Sequence, residues 1–124
     1  MIAVDTNVLI YAVNRDDPAH AGCRAFLDDA LTHQLVRTPW SVLYEFLRVA
    51  THPAVLPHPL STDQAWDVVD ALLATPGFAP LAESERHASY ARTMLQAPGV
   101  AGNLVHDAHI AAVLANHGIR ELWT

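Results

Sequence analysis

Lysine is missing altogether, cysteine occurs once, and aromatic residues make up only 7% of the chain. A lone thiol, Cys23, excludes an internal disulfide framework and any zinc site built from paired thiolates, and it fits a reducing compartment. No stretch approaches the roughly 18 apolar residues a membrane span needs. The opening Met1-Ile2-Ala3-Val4-Asp5 lacks the basic region and long apolar run of a signal peptide. A cytoplasmic protein without membrane attachment is the expectation. With few rings available and 52% of residues hydrophobic, the core must be built mainly from Ala, Val and Leu. All seven bases are arginine, and compositional bias, which the high alanine content shares, explains this more simply than selection for phosphate forks. Thirteen acids against seven bases give a net charge of −6, the wrong sign for gripping nucleic acid through the overall field. Acids gathered around a metal ion escape that objection, because the ion neutralises them.

What is present reads as one domain, residues 1–124, a length that buries roughly two-thirds of its unfolded surface. Ile2-Ala3-Val4 is a short apolar strand that stops at Asp5-Thr6-Asn7, and Val8 to Val13 continue as helix. A second helix spans Ala19 to Thr32, with Cys23, Phe26, Leu27, Ala30 and Leu31 at spacings of three and four. Leu35-Val36-Arg37 is a second strand. The next helix is capped by Thr38 with Pro39 in its first turn, or else by Ser41, and ends near His52-Pro53. A proline-rich connector then leads to a capping box, Ser61-Thr62-Asp63-Gln64, before a helix from Ala65 to Ala74. Phe78 to Leu81 reads as an edge strand because Pro80 cannot donate to a ladder. Helices over Glu83 to Gln96 and Asn103 to Asn116 follow, the last with Leu104, Ala108, Ala111, Ala112 and Ala115 inward and Gly118 as its left-handed stop. Ile119 to Trp123 is a final strand. Strands alternating with helices predict a three-layer α/β/α sandwich around a small parallel sheet.

Asp5 directly follows the first strand, where parallel sheets bind ligands, yet Asp5 or Thr6 equally serves as a helix cap. Glu45 interrupts an apolar run on a polar stripe with Ser41, Arg48 and His52, for which a solvated face with a Glu45–Arg48 pair is a sufficient explanation. Asp107 lies one turn after Asn103 on the last helix, where the helix dipole alone favours an acid. His106 and His109 flank Asp107, but zinc needs three protein ligands and the local spacing supplies no third.

In combination these segments carry a resemblance. Ala3-Val4-Asp5-Thr6-Asn7-Val8-Leu9-Ile10-Tyr11-Ala12 looks like the opening of PIN domains. Gly102-Asn103-Leu104-Val105-His106-Asp107-Ala108-His109-Ile110-Ala111-Ala112 resembles the last-helix signature of VapC toxins, the ribonucleases of type II toxin–antitoxin systems. Ser41-Val42-Leu43-Tyr44-Glu45-Phe46 matches the family's central acidic segment in order and context. The resemblance implies that Asp5, Glu45 and Asp107 hold Mg²⁺ or Mn²⁺, with Thr6 and Asn103 lining the same site. It also implies an RNA substrate, a cognate VapB-like antitoxin and a homodimer, for which the helix bearing Trp66 offers a face unless Trp66 packs into its own core. Three carboxylates within about 5 Å repel by a few kcal/mol per pair at an effective dielectric near 20, so such a site binds protons or a cation. Hard oxygen donors select Mg²⁺ or Mn²⁺ over zinc.

Family members continue past the last strand with further aspartates and a phenylalanine, whereas this sequence ends at Leu122-Trp123-Thr124. The expectation is therefore an endoribonuclease with reduced or single-ion activity, and the alternative is a catalytically impaired PIN fold that only binds antitoxin or RNA. A phosphatase acting on small phosphoesters is the third class to test.

Overall fold

In the computed structural model, which describes all 124 residues, the chain runs β1 (Ala3–Val4), α1 (Thr6–Val13), α2 (His20–His33), β2 (Val36–Pro39), α3 (Trp40–Ala50), α4 (Thr62–Leu73), β3 (Phe78–Leu81), α5 (His87–Leu95), α6 (Leu104–Asn116) and β4 (Leu122–Trp123). The α/β class and the parallel pairing agree with the sequence pattern. β1 pairs with β4, in register Ala3↔Leu122 and Val4↔Trp123. β2 pairs with β3 from Val36↔Phe78 to Pro39↔Leu81, which puts Pro80 on an edge strand.

The two halves of the sheet meet at β1 and β2 through a parallel bridge, Ile2↔Val36. Two residues further on, the ladder is replaced by a side chain. The Val4 N–H donates to the Thr38 hydroxyl at 3.4 Å, and that hydroxyl donates to the Val4 carbonyl at 3.2 Å. Thr38 is fully buried and belongs to β2; it does not cap α3. Helix α3 starts at Trp40 behind Pro39, with no side-chain cap. Buried backbone groups must find partners, and supplying them from the Thr38 hydroxyl outweighs the capping role that its place before a proline would favour.

The core gathers Ile2, Ala3 and Val4 with Leu9, Val36, Val42, Leu43, Phe46, Val69, Ile110 and Val113. Helix α1 packs against α2 and α3, α3 against α4, and α5 against α6. Gly77 turns the chain into β3 where no side chain fits, because a Cβ there would collide with the Leu31 carbonyl oxygen. Helix α6 ends as expected, with Gly118 at φ 71°. The Ile119 N–H reaches the Leu114 carbonyl and the Gly118 N–H that of Ala115, the bond pair of a Schellman motif.

Several boundaries differ from the sequence reading. Helix α5 begins at His87, four residues later than Glu83, and β4 shrinks to two residues. The inward face of α6 is Ile110, Ala112, Val113 and Leu114, while Leu104 and Ala111 are exposed. Beside the buried Ala112, branched side chains fill the space that a stripe of alanines alone would leave open. No helix is long and apolar enough to cross a membrane.

Candidate active site

Asp5 sits where β1 ends and α1 begins, next to the point where the sheet order passes from β2 through β1 to β4. Its N–H donates to the Trp123 carbonyl at 2.8 Å, continuing the ladder with β4. Its Oδ1 accepts from the Thr6 N–H at 2.7 Å, and Asp5 is the N-cap of α1. Asp5 therefore caps α1, and the same residue lies at a strand's carboxyl end, beside the space beyond the sheet. Thr6 is buried, and its hydroxyl reaches the Val42 carbonyl at 3.5 Å, linking α1 to α3.

What lies beyond the sheet is an open cavity of about 380 Å³. Asp5 and Thr6 line it from the start of α1, Glu45 from α3, and His106 and Asp107 from the first turn of α6. Asp5, Glu45 and Asp107, 40 and 62 residues apart in sequence, thus line one cavity. Their carboxylates are not gathered within the 4.8 Å that separates the donor atoms of Glu83, His87 and His109, so the expected approach within about 5 Å is not met. Asn103 does not line this cavity. It lines an adjoining shallow depression with Arg48, Gly102 and His109, and the two spaces share Glu45 and His106.

The cavity also collects Asn7, Tyr11, Asn14 and Asp17, which sequence reading did not single out. Their signal was available: residues 7, 11 and 14 recur at helical spacing on the same side of α1. Asp17 has no such pattern. It sits in the turn after α1, where its Oδ1 accepts from the Ala19 N–H at 2.8 Å.

Glu45 is ion-paired as its polar stripe foretold, with Arg48 Nη2 at 2.5 Å from Oε1 and Nε at 3.1 Å from Oε2. The Arg48 hydrogen bonds hold its carboxyl below the ordinary 4.5, partial burial opposing them. Glu45 is therefore an anion at neutral pH. The donor set of the cavity is dominated by carboxylate and amide oxygens, with His106 its single imidazole and no thiolate, which fits a hard divalent cation.

His109 turns away from this cavity. Its Nε2 pairs with Glu83 Oε1 at 2.8 Å, and the metal-ligand geometry in this part of the fold joins Glu83, His87 and His109, with one donor atom from each within 4.8 Å of the others. A His106–Asp107–His109 grouping is not formed: His106 and Asp107 line the carboxylate cavity, whereas His109, although close to His106 on the helix surface, is engaged by Glu83.

Comparison with known proteins bears on the family. The family model of the PIN domain matches residues 2–124. Ribonuclease VapC43 of Mycobacterium tuberculosis is 41% identical over 113 residues, covering 90% of this chain and 77% of that protein. Ribonuclease VapC37 of the same organism is 38% identical over 118 residues, covering 94% and 82%. Among solved structures, Mycobacterium tuberculosis VapC20, described as a toxin cleaving the sarcin-ricin loop, superposes with a TM-score of 0.66 at 18% identity, over 98% of this chain and 87% of that one. At that identity the likeness speaks for the fold, and the closer sequence relatives speak for the kind of protein. The chain belongs to the PIN-domain family, among the ribonucleases of the VapC type.

Proposed function

We propose that this protein is a Mg²⁺- or Mn²⁺-dependent endoribonuclease toxin in which Asp5, Glu45 and Asp107 hold the ion and Thr6 supports them. One observation carries the reading: carboxylates from three separate elements line a single open cavity at the carboxyl end of the sheet. Each alone has an ordinary structural explanation, but none of those explanations requires them to meet.

The residues also supply a reason for the ion. A phosphodiester entering a cavity walled by Asp5, Glu45, Asp107 and Asp17 meets repulsion of a few kcal/mol per charge pair at an effective dielectric near 20. A divalent ion held by the acids reverses that field and supplies Lewis-acid stabilisation of charge on the scissile phosphate. Asp5 is fixed for its task from two directions, by the β4 ladder and by the Thr6 N–H. Glu45 is kept deprotonated and oriented by Arg48. Asn103, at the start of α6 in the adjoining depression, is positioned to meet an RNA strand leaving the cavity.

A VapB-like antitoxin completes the reading, its basic segment entering the acidic cavity in place of substrate. A solved VapBC2 complex of Rickettsia felis, bound to promoter DNA, shares the fold at a TM-score of 0.62 and 20% identity. The toxin acts in the cytoplasm and pairs as a homodimer, with the exposed Trp66 of α4 offering a contact face.

The competing reading, a PIN fold that binds without cutting, is favoured by the Glu45–Arg48 pair, which occupies one of the three acids with a fixed cation. Labelled RNA incubated with the purified protein, Mn²⁺ or EDTA, beside Asp5→Asn, separates the two. Cleavage that requires Mn²⁺ and falls at least 100-fold in Asp5→Asn is the expected result. Identical traces for both proteins support the binder, and turnover of small phosphoesters without RNA cleavage supports a phosphatase.

A further inference from the structure

We propose that Glu83, His87 and His109 form a second cation site, separate from the carboxylate cavity and suited to Zn²⁺. The three come from different parts of the chain: Glu83 from the connector after β3, His87 from the first position of α5, and His109 from the middle of α6. One donor atom from each lies within 4.8 Å of the others, and the two imidazole rings stand edge to face with centroids 5.3 Å apart. Around a tetrahedral Zn²⁺ with bonds of about 2.1 Å, neighbouring donor atoms are about 3.4 Å apart. Closing on an ion therefore asks for movements on the order of an ångström, which side-chain torsions supply.

The donor set is the second point. Two imidazoles and one carboxylate, with a fourth position left open, are borderline ligands that suit zinc better than Mg²⁺. The carboxylate cavity is the opposite case, so the two sites sort cations by chemistry.

The third is an orphaned polar atom. Nδ1 of His87 is buried without a hydrogen-bond partner, although buried imidazole nitrogens ordinarily find one. His109 already points Nε2 at Glu83, so the cluster joins an ion-paired couple to an imidazole that keeps an unpaired nitrogen. Glu83 is an anion there: hydrogen bonding to its own backbone N–H and to His109 holds its carboxyl below the ordinary 4.5.

The cluster is also braced. On either side of Glu83, the Ala82 carbonyl accepts from His117 Nε2 at 3.0 Å, and the Ser84 hydroxyl accepts from Asn116. The connector is thereby tied to the last turn of α6 independently of any ion. The guanidinium of Arg86, the N-cap of α5, is turned onto the Tyr90 ring at 5.7 Å. An ion here would clamp the connector and α5 to the helix that carries Asp107.

Metal-stripped full-length protein, titrated with Zn²⁺ by calorimetry, tests the assignment. One Zn²⁺ per chain should bind to wild type and to Asp5→Asn with matching affinity, and His87→Ala and Glu83→Gln should each weaken it at least tenfold. Ring-nitrogen NMR of wild type provides a readout that needs no variant: of the eight histidines, His87 and His109 should shift first. Absence of Zn²⁺ binding, binding unchanged in His87→Ala, or binding that disappears in Asp5→Asn while His87 and His109 stay unmoved would overturn the proposal.

Discussion

Glu45 and Arg48 are three residues apart on α3, and their pairing both orients the carboxylate and partly masks it. Arg48 is thus a built-in competitor for any cation entering the cavity. Replacing it by Gln removes that competition, and Mn²⁺ affinity should rise several-fold in a direct binding titration. The same pair sets a pH dependence in metal-free protein. Because the folded-state pKa of Glu45 lies below 4.5, its contribution is fully present above 4.5 and is lost as pH falls through the lower folded value. Both groups are partly exposed, so the effect is small. Wild type should nevertheless lose more stability than Arg48→Gln between pH 5 and pH 3, as followed by urea denaturation in EDTA; equal losses contradict the pairing. That Asp5, Glu45 and Asp107 line one cavity could be suspected from the sequence, because each stands out locally: an acid ending an apolar strand, an acid inside an apolar run, an acid in a motif with Asn103. Asp17 was not legible, since an aspartate in a turn beside Pro18 has a sufficient local reason to be there. Nor was the Glu83–His87–His109 cluster, in which His109 lies beyond α5 from the other two and joins them only when α5 and α6 pack.

At the scale of elements, the ends were legible where side chain and backbone share one local bond pattern, and illegible where a distant strand intervened. The capping box is the first kind. Gln64 N–H donates to the Ser61 hydroxyl at 3.1 Å and the Ser61 N–H to Gln64 Oε1 at 2.9 Å, as Ser61-Thr62-Asp63-Gln64 foretells. Ser61→Ala should cost about 1 kcal/mol, a fall in Tm of roughly 3–6 °C by calorimetry. The start of α3 is the second kind. Thr38 before Pro39 looks like a cap, but its hydroxyl serves Val4 across the sheet. Thr38→Val keeps the shape and leaves the Val4 N–H and carbonyl unpaired, which should cost roughly 1–3 kcal/mol in chemical denaturation. A cost within error of zero would mean that the hydroxyl contributes nothing to joining β1 and β2.

For the molecule as a whole, the parallel class and the number of strands followed from alternation of short apolar runs with helical segments. The packing of α6 followed only in part. Ala112 is buried and Ala108 and Ala115 half-buried as the spacing suggests, but Leu104 and Ala111 are exposed, and only the assembled core shows that Ile110, Val113 and Leu114 fill the space. The order β3-β2-β1-β4 leaves Asp5 at the mouth of the central strand, with α3 and α6 supplying the other acids around it. Convergence is therefore a property of topology, and the net charge of −6 is partly spent on one cavity. Mn²⁺ binding to wild type, Asp5→Asn, Glu45→Gln and Asp107→Asn, measured side by side by calorimetry on folded protein, reads that convergence most directly. Each single replacement should weaken binding at least tenfold; wild-type affinity in any one of the three would remove that residue from the site and contradict the shared cation.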